Sequence, residues 1–222
     1  MARQIVGTVF QSLDGVMQAP GGPHEDPTGG FNLGGWQMGF SDPDAGEAIG
    51  DSLKPPYALL LGRKTYDIFA AYWPFHDGED NAIAQAFNEA EKFVLTHSAK
   101  PLEWANSTRV GSFEALAAIR GGDGPDLQIW GSGTLYPGLL ERGLLDQLTV
   151  LTYPLVLGQG KRVFREGTPA ATLQFKSGHM TAKGVAVATF VPAPGIKLSQ
   201  SPPAHANPRE DERQRQIAAG TW

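Results

Sequence analysis

The sequence predicts an α/β protein: a mixed, mostly parallel central sheet with flanking helices, finishing in an antiparallel hairpin. Three observations carry that reading. Two short apolar runs of strand length, residues 57–61 and 127–130, each pass through a glycine-containing turn into residues at helical spacing. Strand-like and helix-like stretches alternate up to about residue 143, the pattern of a parallel sheet. After that point three strand-like stretches follow one another with no helix between them, which calls for antiparallel pairing.

Taken in order, residues 4–10 lead into the β-rich run Ile5-Val6-Gly7-Thr8-Val9-Phe10, and Ser12-Leu13-Asp14-Gly15 ends this strand with a turn signal. From Ala19 to Gly35, recurrent glycine and proline leave a long loop without periodicity, a length that marks a lid or a disordered segment. Asp42 suits a helix N-cap with Pro43 at the first helical position; Ala48, Ile49 and Leu53 then face inward, and the helix ends before Pro55-Pro56. Residues 57–61 form a strand, Gly62-Arg63-Lys64-Thr65 a turn, and Tyr66, Ile68, Phe69 and Tyr72 resume a helix. A helix over 81–90, a strand over 92–96 closed by His97-Ser98, and a short strand over 107–110 follow. Ser112 caps a helix that runs through Ile119 and breaks at the glycine cluster of 121–125. The strand at 127–130 then turns through Gly131-Ser132-Gly133 into a helix carrying Leu135, Leu139 and Leu140. Residues 147–156 read as a long strand, 157–162 as a turn, and 172–177 with 185–191 as the closing pair. One domain therefore covers 1–192, and a Pro-rich arm or tail with a charged helix over 209–219 covers 193–222.

Composition removes several function classes. The 222 residues, 41% of them apolar, suit one large domain or two small ones. A net charge of −5 and the lack of a dense Lys/Arg block argue against nucleic acid or anionic membrane as the partner. With no cysteine there is no disulfide framework, thiolate nucleophile or cysteine-ligated zinc, and the five histidines are scattered, so no metal site is expected. Neither a charged-then-apolar leader nor an apolar run of membrane-spanning length is present, which places the protein in the cytoplasm.

The two strand-turn-helix units put two helix N-termini at the carboxyl ends of strands, where open α/β sheets bind ligands and unpaired N–H groups favour phosphate. Arg63 is suited to clamping a phosphate and Lys64 to neutralising it. Thr96 and Ser98 end a further strand, with the Ser98 hydroxyl available as a donor, and the backbone from Ser132 to Leu135 offers N–H groups. The bland alternatives stand beside these: Gly131-Ser132-Gly133 as an ordinary turn, Arg63 and Lys64 as solvated charges. Asp14 suits orienting a substrate amide or relaying a proton, and equally a turn residue bonding its own backbone. Trp36 reads as a substrate-stacking residue or an aromatic anchor for the loop; Thr134 and Tyr136 contact a ligand or pack the helix start.

Four stretches occur together in order: Ser12-Leu13-Asp14-Gly15, Leu61-Gly62-Arg63-Lys64-Thr65-Tyr66, Trp130-Gly131-Ser132-Gly133-Thr134-Leu135, and Pro154 through Arg162. As a set they resemble the dihydrofolate-reductase-like family that includes the reductase domain of bacterial riboflavin biosynthesis. The resemblance implies that the Gly62–Thr65 turn and Ser98, with Thr96 before it, hold the adenosine phosphates of NADPH. It places the 131–133 turn under the pyrophosphate and nicotinamide, and the long loop over the active site. Hydride transfer to a small nitrogen heterocycle is implied, with activity similar to 5-amino-6-(5-phosphoribosylamino)uracil reductase; dihydrofolate reductase and a non-catalytic nucleotide-binding module are the alternatives. Three departures matter. Dihydrofolate reductases carry Gly-Gly where this chain has Gly131-Ser132; their carboxylate on the first helix has four candidates here, Asp42, Asp44, Glu47 and Asp51, with none singled out; and the zinc deaminase often fused ahead of the riboflavin reductase has no counterpart. A homodimer is expected, because a terminal hairpin leaves an edge strand and the proline-rich arm is placed to cover a second subunit.

Overall fold

The computed structural model describes residues 2–41, 43–76, 81–196, 198 and 207–222. Eight strands form one sheet: β1 (Ile5–Ser12), β2 (Tyr57–Gly62), β3 (Lys92–Leu95), β4 (Ser107–Val110), β5 (Asp126–Trp130), β6 (Gln147–Tyr153), β7 (Thr172–Met180) and β8 (Ala186–Ala193). Their order is β4-β3-β2-β5-β1-β6-β8-β7. The first six strands pair in parallel, and β8 joins β6 and β7 antiparallel, so the sheet is the mixed, mostly parallel arrangement expected, closing in an antiparallel hairpin. The helices are α1 (Pro43–Ser52), α2 (Arg63–Ala70), α3 (Ala82–Glu89), α4 (Phe113–Gly121), α5 (Tyr136–Glu141) and α6 (Pro208–Ala219).

Burial on both faces explains the continuous apolar run of β2, all six residues of which are buried. On one face of the sheet Ile5, Val9, Leu127, Ile129, Leu148 and Val150 pack with Leu116 of α4 and with Tyr136 and Leu139 of α5. On the other, Leu59, Leu61 and Trp130 pack with Tyr66, Phe87 and, at the margin, Phe10 and Ile49. Alternation along β1 separates the two faces, so Thr8 and Phe10 look toward α1 while Gly7 looks toward α5.

Three boundaries differ from expectation, each for a local reason. Residues 63–65 are the first turn of α2 rather than a loop before it, because Gly62 in extended conformation leads directly into the helix. β6 stops at Tyr153, where the Leu155 N–H turns back to the Tyr153 carbonyl at 2.8 Å and breaks the ladder expected through residue 156. β7 and β8 reach Met180 and Ala193 because the turn joining them is short, closed by Gly184 N–H to the Thr181 carbonyl at 2.9 Å. Among the described residues no helix is long and apolar enough to cross a membrane.

Candidate functional site

Both predicted helix N-termini sit side by side, since β2 and β5 are neighbours in the sheet. Hydrogen bonds lock the two junctions to one another. The Gly62 N–H donates to Ser132 Oγ and the Ser132 N–H donates to Thr65 Oγ1, both at 3.0 Å. This clasp needs Gly131 at φ 63° and Ser132 at φ 50°, a left-handed pair in which Ser132 is the non-glycine exception. A Cβ on Gly131 would stand 3.3 Å from Thr65 Cγ2, and one on Gly62 3.4 Å from Thr134 Oγ1, so small residues let the two turns close. Gly133 touches the loop before residue 19, where Met17 Sδ lies 2.5 Å from the position of a Cβ. Leu135 is buried beneath the turn, its N–H on the Ser132 carbonyl at 2.9 Å.

The basic residues flank this clasp, though not as free groups. Arg63 donates to Asp67 Oδ1 at 2.9 Å and to the carbonyls of Lys100 and Pro101 at 2.8 and 3.2 Å. Those carbonyls belong to the loop after β3, in which Ser98 N–H bonds Thr96 Oγ1 at 3.0 Å and Ser98 Oγ accepts from Lys100 N–H at 3.3 Å. Arg63, in the first turn of α2, thus contacts the loop that carries Thr96 and Ser98, and its guanidinium is occupied by that loop. Lys64 points the other way. Its Nζ lies 2.7 Å from Thr28 Oγ1 and 3.3 Å from Asp26 Oδ1, on the long loop.

That loop is folded against the first turn of α2 and the 157–162 turn. Gln18 donates to the carbonyls of Asp26 and Thr28 at 2.9 and 2.8 Å, and its Oε1 accepts from the Lys161 N–H at 3.0 Å. Lys161 Nζ meets Asp26 Oδ2 at 2.5 Å. Burial raises the Asp26 pKa, but the hydrogen bonds from Lys161, Thr28 and Lys64 prevail and hold the carboxyl at about 2. Trp36 serves this packing: its indole N–H bonds the Gln18 carbonyl at 2.8 Å and its ring stands edge-on to Tyr153, the loop-anchor arrangement. Asp26 and Lys161 escaped the sequence reading because nothing local marks two residues 135 positions apart as partners.

Two expected ligand contacts need correction. Asp14 accepts from the Ser12 hydroxyl at 2.6 Å and from the N–H groups of Leu157 and Gly158 at 3.1 and 2.9 Å. The Ser12 hydroxyl leads in holding the Asp14 carboxyl down to about 2. Through these bonds the carboxylate ties the end of β1 to the 157–162 turn, the turn-residue alternative of its two readings. Tyr136 is fully buried, its ring over Gly7, and the substrate contact expected of it is closed off by the core. On α1, Ala45 is buried and Ile49 half-buried while Asp44 and Glu47 are exposed; Asp42 and the Asp51 side chain lie outside the described residues.

Between α1 and the sheet lies a feature that sequence reasoning missed. Thr8 Oγ1 and Trp130 Nε1, on residues opposite one another in the β1–β5 ladder, are buried with no hydrogen-bond partner, as is Gln128 Oε1 on the same face. Buried polar groups are costly when unpaired, so this trio marks a place where a ligand or water supplies the missing bonds. The alternation of β5 held part of the signal, Asp126, Gln128 and Trp130 taking every second position, whereas Thr8 stands between apolar Val6 and Phe10 on its face of β1.

The comparisons agree with this architecture. The sequence pattern of the RibD C-terminal domain matches residues 3–187. An uncharacterized protein of Bacillus subtilis (strain 168), YyaP, is 23% identical over 193 residues, covering 82% of this chain and 92% of that one. A putative riboflavin biosynthesis protein from Shewanella sp. PV-4 superposes with a TM-score of 0.63 at 17% identity, over 87% of this chain and 100% of that chain. A pyrimidine reductase-like protein from Corynebacterium diphtheriae does so with a TM-score of 0.53 at 11% identity, over 87% and 93%. The chain belongs to the RibD C-terminal domain family.

Proposed function

We propose that this chain is an NADPH-dependent reductase acting on a pterin, an aminopyrimidine or a related small heterocycle, similar to 5-amino-6-(5-phosphoribosylamino)uracil reductase. The observation that carries the reading is the clasp between Gly62-Thr65 and Gly131-Ser132, which makes one cleft of two helix N-termini. The fit to a dinucleotide is chemical as well as geometric: small residues line the turns, and Arg63, Lys64 and Lys161 bring positive charge to the mouth. NADPH, when bound, supplies the hydride. The chain's residues do the rest. Gly133 and Thr134 carry the phosphate-facing backbone, the Ser132 and Leu135 N–H groups being taken by Thr65 Oγ1 and the Ser132 carbonyl; Arg63 with the loop of Thr96 and Ser98 borders the adenosine end, and the long loop held by Gln18 and Trp36 keeps water from the reacting centre. Thr8, Gln128 and Trp130 offer hydroxyl, carbonyl and indole N–H groups to a flat heterocycle on the α1 side. The proposed protein is cytoplasmic and a homodimer, without nucleic-acid or membrane partners.

A second reading is a nucleotide-binding module without turnover. It is favoured by one observation: the Asp14 carboxylate is engaged by the Ser12 hydroxyl and the Leu157 and Gly158 N–H groups. Loss of absorbance at 340 nm, with NADPH and either a ribitylaminopyrimidine precursor or dihydrofolate, separates the three. Oxidation with the precursor supports the reductase, oxidation with dihydrofolate the folate enzyme, and an NADPH-induced thermal shift without oxidation the module.

A further inference from the structure

We propose that Lys64, Lys161 and Thr28 form a subsite for a phosphate group, and that the Asp26 carboxylate is an internal stand-in which the phosphate displaces. The proposal rests on the nucleotide-cleft reading above and adds to it a coupling between ligand binding and the long loop.

Three segments distant in the chain converge on one carboxylate. Lys161 Nζ takes Asp26 Oδ2 at 2.5 Å, and Lys64 Nζ takes Oδ1 at 3.3 Å. The Thr28 hydroxyl donates to the same Oδ1 at 2.5 Å, and both amines lie within 2.8 Å of that hydroxyl. Two cations and a hydroxyl arranged around a pair of oxygens are what a phosphate group also takes. The charges do not cancel: two ammoniums face one carboxylate, which leaves an excess of one positive charge. A phosphate arriving beside Asp26 would meet its repulsion, and one replacing Asp26 would neutralise both lysines.

The layout permits that exchange. The Lys64 and Lys161 side chains are about half exposed, at 52% and 48%, whereas Asp26 is 9% exposed, so the cations are open to solvent and the carboxylate lies behind them. Lys64 is in the first turn of α2, whose N-terminal N–H groups favour an anion at the same spot. Gln18 grips the loop through the backbone carbonyls of Asp26 and Thr28, not through the carboxylate. Besides the lysines, the Asp26 carboxylate holds, among the described residues, only the Thr28 N–H, at 3.3 Å, and the Thr28 hydroxyl, so its displacement costs the loop those two bonds and leaves the Gln18 grip in place; Gly29 and Gly30, at φ 73° and 75°, follow directly.

Calorimetric titration of the full chain with inorganic pyrophosphate tests the idea. Asp26→Asn is expected to bind about tenfold more tightly than the parent, because one competing charge is gone, and adding Lys161→Gln removes that gain. Equal or weaker binding by Asp26→Asn overturns the proposal. Should Asp26→Asn fail to fold, Lys161→Gln alone decides: severalfold weaker pyrophosphate binding upholds the subsite, and unchanged binding overturns it. Titrations with NADPH and with ribose 5-phosphate identify the source of the phosphate, since the ligand whose affinity rises in Asp26→Asn is the one that uses the site; a rise for neither overturns it. An intact pyrophosphate response without NADPH oxidation on any heterocycle would remove the reductase reading and leave the subsite standing.

Discussion

Ser132 occupies a backbone conformation that glycine takes freely, φ 50°, and retains it because its hydroxyl accepts the Gly62 N–H. Ser132→Ala keeps the unfavourable dihedral and orphans a buried donor, so a loss of about 2 kcal/mol is expected in urea unfolding. Ser132→Gly loses the same bond but relaxes the dihedral, so it is expected to lose less; a greater loss for glycine would show that the hydroxyl is not what holds the turn. Arg63→Ala is expected to weaken NADPH more than NADH, because a guanidinium against the loop that carries Ser98 suits the extra phosphate. Equal loss of both affinities in a fluorescence titration would return Arg63 to the role its contacts with Asp67, Lys100 and Pro101 already display. Asp14 makes a different point. Its folded pKa is lowered to about 2 from an ordinary 3.8, so the stability it contributes is present above pH 3.8 and lost as the pH falls through 2. At this scale the sequence was legible where chemistry is local: the turns at Gly62–Thr65 and Gly131–Ser132 follow neighbouring strands and meet. It was silent on Asp26 and Lys161, which acquire meaning only when the chain brings the long loop to the 157–162 turn.

Elements meet through a few close contacts, and two of them carry predictions. The α5 helix reaches β1 through Tyr136, whose ring rests on Gly7; a Cβ there would stand 2.5 Å from Tyr136 Oη. Tyr136 is fully buried and has nowhere to retreat, so Gly7→Ala is expected to cost about 1–3 kcal/mol, read from the urea midpoint. Where β3 meets α3, Lys92 is wholly buried, its Nζ donating to the carbonyls of Asn88 and Ala90 at 3.0 and 2.7 Å, with Trp104 4.3 Å away. Burial lowers its pKa from 10.5 to about 8. Below pH 8 both folded and unfolded chains hold this proton and the penalty is complete. Between pH 8 and 10.5 the folded chain releases it first, so stability rises with pH by up to about 3 kcal/mol. Lys92→Met is expected to lose this rise in urea titrations across the window, and an unchanged rise would assign it elsewhere. Strand and helix identities were legible because period-2 and period-3.6 patterns are local properties. The ends of β6, β7 and α2 were not, because backbone turns at Leu155, Gly184 and Gly62 decide them.

Across the molecule the central strands of the parallel body, β2 above all, are buried on both faces, and the hairpin departs from that plan. Strand β7 lies at the sheet edge and is exposed from Gln174 to Met180, with Phe175 59% and Met180 63% open to solvent. An exposed edge invites pairing, but the register shift between Phe175 and Ser177, with Lys176 between them, interrupts the ladder that a second strand would need. If copies associate, the contact is expected through side chains and the arm beyond β8 rather than through a continuous sixteen-stranded sheet. The arm ends in α6, none of whose residues is buried, with Ile217 and, just past the helix, Trp222 carrying apolar surface into solvent. A homodimer in which the arm of one copy covers apolar surface of the other would remove both exposures. Size-exclusion chromatography is expected to show a dimer for the full chain and a monomer for a chain ending at Pro194. A truncated chain that stays dimeric would exclude the arm as the contact, and a monomeric full chain would exclude the dimer.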